Sequence, residues 1–153
     1  MTKEDRYEAA LREVDVRLAK GGDLVADLGN AAAVLKKRLD DHASWIGFYF
    51  VRGDKLILGP FQGRPACVFL PFGKGVCGTC AAMRETINVP DVHAFEGHIA
   101  CDPDSRSELV VPVFDGNGAV RAVLDMDSDR PAAFDAIDIR YAERLAARLA
   151  NLW

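Results

Sequence analysis

Apolar residues recur at helical spacing over residues 4–20, where Tyr7, Ala10, Leu11, Val14 and Leu18 form one stripe. Gly21-Gly22 breaks the pattern and Asp23 offers an N-cap. A second stripe of Leu24, Leu28, Ala31, Ala32, Leu35 and Leu39 predicts a helix over residues 24–39. The period then falls to that of a strand. Ser44 to Val51 is aromatic-rich, Gly53-Asp54 is a turn signal, and Lys55 to Leu58 reads as the returning arm of a hairpin. Cys67 to Leu70 reads as a short strand, with a helix over 77–84 after the glycine-rich Phe72 to Gly75, and Thr86 to Val89 as another short strand. Residues 90–106 read as a long ordered loop, a feature often tied to function. Glu108 to Phe114 and Ala119 to Met126 form a hairpin across Gly116-Asn117-Gly118. A last helix follows over 135–152, capped by Asp135 and striped by Ile139, Leu145, Leu149 and Leu152. This order predicts one α+β domain. A central antiparallel sheet would carry the N- and C-terminal helices on one face and a pocket roofed by residues 60–106 on the other.

Composition narrows the class. The chain has 153 residues, half of them hydrophobic and 27% charged, as expected of one globular domain with a real core. A net charge of −4 argues against nucleic acid or an anionic membrane surface as the main partner. No apolar run approaches the ~20 residues of a membrane span. The charged N-terminus does not read as a signal peptide. A cytoplasmic location is expected, where cysteines are more often reactive or metal-binding than stapled.

Three of the four cysteines stand among Gly, Pro, His and Asp, the composition of shaped loops. Cys77, near a helix start after Gly73-Lys74-Gly75, can gain thiolate character from the helix dipole, or can simply pack under the glycine turn. Cys101 follows His98 by three residues, which favours a thiolate, while Asp102 disfavours one. Cys67 alone reads as core, yet a thiol within reach of a reactive one can close a disulfide. Cys80 completes Cys77-Gly-Thr-Cys80, on the same helical face as Cys77, but the order of elements is not that of a thioredoxin fold, so a buried bystander is expected. The thiols with His93 and His98 could supply four metal ligands, but only one close pair exists, and no metal is expected.

Asp125 and Asp127 are two apart on a strand, so both side chains share one sheet face, and Glu108 opens the neighbouring strand. Converging acids need a cation or a shared proton; they suit an ammonium group, or one can donate a proton. Solvated strand-end acids are the plainer alternative. Trp45 and Tyr49 are four apart and share a face, as core or as the wall of an apolar slot.

Together these segments resemble the free methionine-(R)-sulfoxide reductases, which are built on a GAF domain. The likeness runs from Trp45 to Ser128. It includes Trp45-x-Gly47-Phe48-Tyr49, Gly59-Pro60-Phe61-Gln62-Gly63-x-Pro65-Ala66-Cys67, Pro71-Phe72-Gly73-x-Gly75-Val76-Cys77-Gly78 and Asp91-Val92-His93. It continues through Gly97-His98-Ile99-Ala100-Cys101-Asp102, Ser107-Glu108 and Leu124-Asp125-x-Asp127-Ser128. The resemblance implies that Cys101 attacks the sulfoxide, that Cys67 resolves the resulting sulfenic acid, and that Cys77 can join disulfide exchange. It implies an ammonium site of Glu108, Asp125 and Asp127, with Trp45 and Tyr49 around the methyl group. It further implies thioredoxin as reductant, no bound cofactor, and pairing as a homodimer. Cys80 departs from the pattern, since the family has a small non-thiol residue there. Two other readings share the fold: a ligand-sensing GAF module without chemistry, and a thiol redox sensor that forms a Cys67–Cys101 bond with peroxide but does not turn over.

Overall fold

A computed structural model describes residues 1–153. Its elements are α1 (Lys3–Ala19), α2 (Leu24–Leu39), β1 (Trp45–Arg52), β2 (Lys55–Gln62), β3 (Phe69–Pro71), α3 (Gly75–Met83), β4 (Ile87–Val89), β5 (Ser107–Phe114), β6 (Val120–Ser128) and α4 (Ala136–Arg148). The strands form one sheet in the order β3-β2-β1-β6-β5-β4, with every neighbouring pair antiparallel. No helix is long and apolar enough to cross a membrane.

Alternation along the strands splits the apolar residues into two cores. Ile46, Phe48 and Phe50 of β1, with Leu124 and Met126 of β6, face α1, α2 and α4. Trp45 and Tyr49 of β1, with Val110 of β5 and Val123 of β6, face α3 and the long loops. Leu124 and Met126 flank Asp125 in sequence but lie across the sheet from it, as strand period demands.

The helix starts follow from their caps. Asp23 accepts from the backbone N–H of Val25 and Ala26, and Asp135 from Ile137 and Asp138. Asp138, fully buried, ties α1 to α4. It accepts from the Tyr7 hydroxyl at 2.6 Å, Lys3 Nζ at 2.7 Å and the backbone N–H of Asp135 at 2.8 Å, and lies 3.0 Å from His42 Nε2.

Several boundaries differ from the sequence expectation, among them β2, which runs on from Leu58 to Gln62. Cys67 lies outside the strand, because β3 spans Phe69–Pro71 at the sheet edge, and a loop carbonyl of Val68 accepts from Leu58 N–H. The last helix ends at Arg148 and tightens into a 3₁₀ turn over Ala150–Leu152, the common way a helix terminus frays. Residues 90–106 are not all irregular: Val92–Ala94 form a 3₁₀ turn capped by Asp91, whose side chain accepts from His93 N–H.

Candidate active site

The second core opens into a cavity of ≈ 50 Å³ between the sheet and its roof. The floor comes from the register of three strands. Trp45 of β1 pairs with Asp127 of β6, which pairs with Glu108 of β5. Two residues along, Gly47 pairs with Asp125 and Asp125 with Val110. Adjacent rows on one face therefore bring all three carboxyls together. The roof supplies Cys101, Asp102 and His98 from the long loop, and Cys77 from α3.

The aromatic wall depends on glycine. A Cβ on Gly47 would lie 2.4 Å from Phe61 Cβ and 2.7 Å from Trp45 Cη2, so the indole can lie across β1 only because position 47 is bare. Trp45 stacks on Phe61 with ring centroids 5.2 Å apart and on Tyr49 at 6.1 Å. The polar ends of the same rings hold the roof. Trp45 Nε1 donates to the Arg64 carbonyl at 3.0 Å, and the Tyr49 hydroxyl donates to the Cys67 carbonyl at 2.9 Å. The wall therefore also fixes the loop that carries Cys67.

Cys67 and Cys101 are joined in a disulfide, with Cα atoms 5.4 Å apart. Both are half-buried and pack against the second core. Cys77 and Cys80 are free and buried. Of the two possibilities open at Cys77, a dipole-stabilised thiolate or a thiol packed under the glycine turn, the first does not fit its surroundings. Cys77 is the third residue of α3 and points into the acids, its Sγ 3.8 Å from Glu108 Oε2. Burial, then the charges of Asp125, Glu108 and Asp127, pushes its pKa well up, against the weaker pull of a helix terminus. Burial, with the charge of Asp125, takes Cys80 up to about 12. No bond joins the Cys77-x-x-Cys80 pair.

Burial also pushes up all three carboxyls. Glu108 and Asp127 are raised well above the ordinary range by burial and then by the Asp125 charge. Asp125 is raised by burial, while hydrogen bonds with Glu108 and Cys77 work the other way. Asp127 Oδ1 accepts from the Ser105 hydroxyl at 3.3 Å. Asp125 Oδ1 is buried with no hydrogen-bond partner at all. No Arg lines this cavity and no salt bridge reaches the three acids; the basic groups in the lining are Lys74, whose residue is exposed, and His98, and burial, with His93 nearby, pushes the His98 pKa down. Such a site accepts a cation or holds protons. Cys77, Glu108 and Asp125 place their ligand atoms within 4.8 Å of one another, which is the group best placed to hold a metal ion.

All eight site residues expected from the sequence, Trp45, Tyr49, Cys67, Cys77, Cys101, Glu108, Asp125 and Asp127, lie in or against this cavity. The GAF-domain family profile matches residues 26–153. The chain is 42% identical over 149 residues to the free methionine-R-sulfoxide reductase of Escherichia coli, covering 97% of this chain and 89% of that protein. It is 44% identical over 128 residues to the Saccharomyces cerevisiae protein of the same name, covering 80% of this chain and 71% of that one. The chain belongs to the GAF-domain family of free methionine-R-sulfoxide reductases. Among solved structures, the free methionine-R-sulfoxide reductase of Neisseria meningitidis in complex with its substrate superposes with a TM-score of 0.93 at 44% identity, covering 98% of this chain and 89% of that one. Within the shared fold, two residues escaped the sequence reading of this reductase-family site. Arg64 joins the two cysteine loops, and Ser105 hydrogen-bonds Asp127. Both are single polar residues in loops, and nothing in their spacing marks them.

Proposed function

We propose that the protein reduces free L-methionine-(R)-sulfoxide to L-methionine. The observation that carries this reading is a single cavity lined by Cys101, Trp45, Tyr49 and three acids, Glu108 and Asp125 buried and Asp127 half-buried, with no salt bridge to any of them. The substrate ammonium sits among Glu108, Asp125 and Asp127, where it meets the unpartnered Asp125 oxygen. Trp45 and Tyr49 flank the methyl group. A residue inside a peptide has no ammonium to offer, which accounts for selectivity for the free amino acid.

Chemistry begins with the Cys101 thiolate attacking the sulfoxide sulfur. Glu108 or Asp127, held protonated by burial and the Asp125 charge, protonates the departing oxygen. The oxygen, with its proton, passes to the Cys101 sulfur as the sulfur–oxygen bond of the substrate and the transient sulfur–sulfur bond break, so methionine leaves and Cys101 is left as a sulfenic acid. The Cys67 thiol attacks that sulfur, releasing water and forming the Cys67–Cys101 disulfide. A dithiol protein, thioredoxin, restores both thiols by exchange. Cys77 can join that exchange after it is deprotonated. No bound cofactor is required. The enzyme works in the cytoplasm, as a homodimer.

The test is turnover with thioredoxin and its reductase on four compounds: both epimers of free methionine sulfoxide and both epimers of the N-acetylated form. Consumption of the free R epimer alone is expected. Consumption of none, with peroxide still closing the disulfide, would leave the redox-sensor reading in its place.

A further inference from the structure

Arg64 stands three residues before Cys67 and reaches the residue after Cys101. Its Nε lies 2.8 Å and its Nη2 2.7 Å from Asp102 Oδ2. The same guanidinium forks to Asp129, with Nη2 2.6 Å from Oδ1 and Nη1 3.4 Å from Oδ2. Its carbonyl accepts from Trp45 Nε1, so the backbone at this point is anchored to the aromatic wall. Asp102 is itself held in place, since its Oδ1 accepts from Asp104 N–H. Asp129 follows the last residue of β6, the strand that carries Asp125 and Asp127. One side chain thus ties the Cys67 loop, the Cys101 loop and the acid-bearing strand together.

We propose that Arg64 is a positioning residue for disulfide closure, an ionic clasp that keeps Cys67 beside Cys101 while the covalent bond is open. This rests on reading Cys101 as the attacking thiol and Cys67 as the resolving one. The two cysteines are 34 residues apart, on loops not paired to each other by strand hydrogen bonds. After a turnover the disulfide is reduced and only non-covalent contacts hold the loops together. The Arg64–Asp102 pair spans the same gap one step outside the sulfurs. It also places a cation against the carboxylate next to Cys101, offsetting a charge that opposes a thiolate there. The clasp is partly solvent-exposed, so its contribution is modest and sensitive to salt.

The experiment separates the two chemical steps. Reduced protein is mixed with free methionine-(R)-sulfoxide without reductant; methionine is quantified, and closure is followed by mass spectrometry of alkylated, quenched samples. A parallel arm uses hydrogen peroxide, which oxidises the Cys101 thiolate to the sulfenic acid and leaves hydroxide. Closure is then measurable whether or not the sulfoxide is a substrate. In Arg64→Ala, closure at low salt should slow about 3- to 10-fold, as expected for loss of exposed ion pairs, with sulfenic acid trapped by dimedone in its place. Arg64→Lys should restore part of the rate. Raising salt to about 1 M should slow wild type toward Arg64→Ala and leave the variant unchanged. Asp129→Asn, which removes the exposed arm of the fork, should slow closure less and carries the test if Arg64→Ala does not fold. Closure by Arg64→Ala and Asp129→Asn at the wild-type rate, or with the wild-type salt dependence, overturns the proposal. Absence of methionine in every sample, with normal peroxide closure, overturns only the proposed function.

Discussion

Asp125→Asn should strengthen the ligand-free protein and weaken the substrate complex. Asp125 is 5% exposed, one of its oxygens has no partner, and its neighbours are Glu108, Asp127 and Cys77. Without ligand its charge is a liability, and an amide of the same shape removes it while offering Glu108 a donor. A gain of about 1 kcal/mol, or about 2–4 °C in melting temperature, is the expected scale for a domain of this size. The gain should depend on pH. Burial raises the folded-state pKa of Asp125 above its unfolded value, so the folded state binds the extra proton. Its contribution is complete below about pH 4 and is lost as pH rises through the folded pKa. The advantage of Asn should therefore grow as pH rises from about 4 and level off above the folded pKa, where both states are deprotonated. With ligand the sign reverses, because an ammonium loses a buried partner. A loss of about 3 kcal/mol, or about 10²-fold in affinity, follows from breaking one arm of a buried ion pair. The assay is thermal melting across pH, plus calorimetric binding of methionine sulfoxide, both in a Cys101→Ser background so that ligand is not consumed. A variant that melts lower without ligand, and binds as tightly as its parent, would refute the placement of the ammonium on Asp125.

Asp138→Asn should cost about 3 kcal/mol of stability, since it leaves Lys3 and His42 without their buried anion; chemical denaturation measures it. Burial alone would raise the Asp138 pKa, but hydrogen bonds from His42, Lys3 and Tyr7 outweigh burial and hold it far down. The wild type should therefore lose stability as pH falls below the unfolded value of about 3.9, and Asp138→Asn should lose less over the same range. Gly78→Ala should cost at least about 2 kcal/mol, because its Cβ would lie 2.1 Å from the Pro71 carbonyl oxygen. Cys80→Ala should leave turnover within twofold of wild type, and native Cys80 should resist alkylation, since it is fully buried with its pKa raised to about 12.

How much of this was legible in the sequence depended on whether a feature was local. The stripes of Tyr7–Val14 and Leu24–Leu39 predict α1 and α2 because burial of one helical face is written at fixed spacing. The Asp125-x-Asp127 spacing places both acids on one face for the same reason. That Glu108 meets them is a matter of register between β5 and β6, which alternation makes plausible but does not fix. Cys77 shows the limit. Its position in α3 was readable, but its environment is set by a packing that presses α3 onto the acid-bearing strands. Burial against carboxyls then overrides the dipole. Arg64 was silent because its partners, Asp102 and Asp129, lie 38 and 65 residues away.

The central claim is that Cys101 attacks the sulfoxide and Cys67 resolves the product. One pre-steady-state measurement tests it: methionine released per subunit by reduced protein mixed with excess free methionine-(R)-sulfoxide and no reductant. Wild type and Cys67→Ser should each release at least one methionine promptly, the latter keeping an unresolved sulfenic acid, and Cys101→Ser should release none. Prompt methionine release by Cys101→Ser would contradict the account.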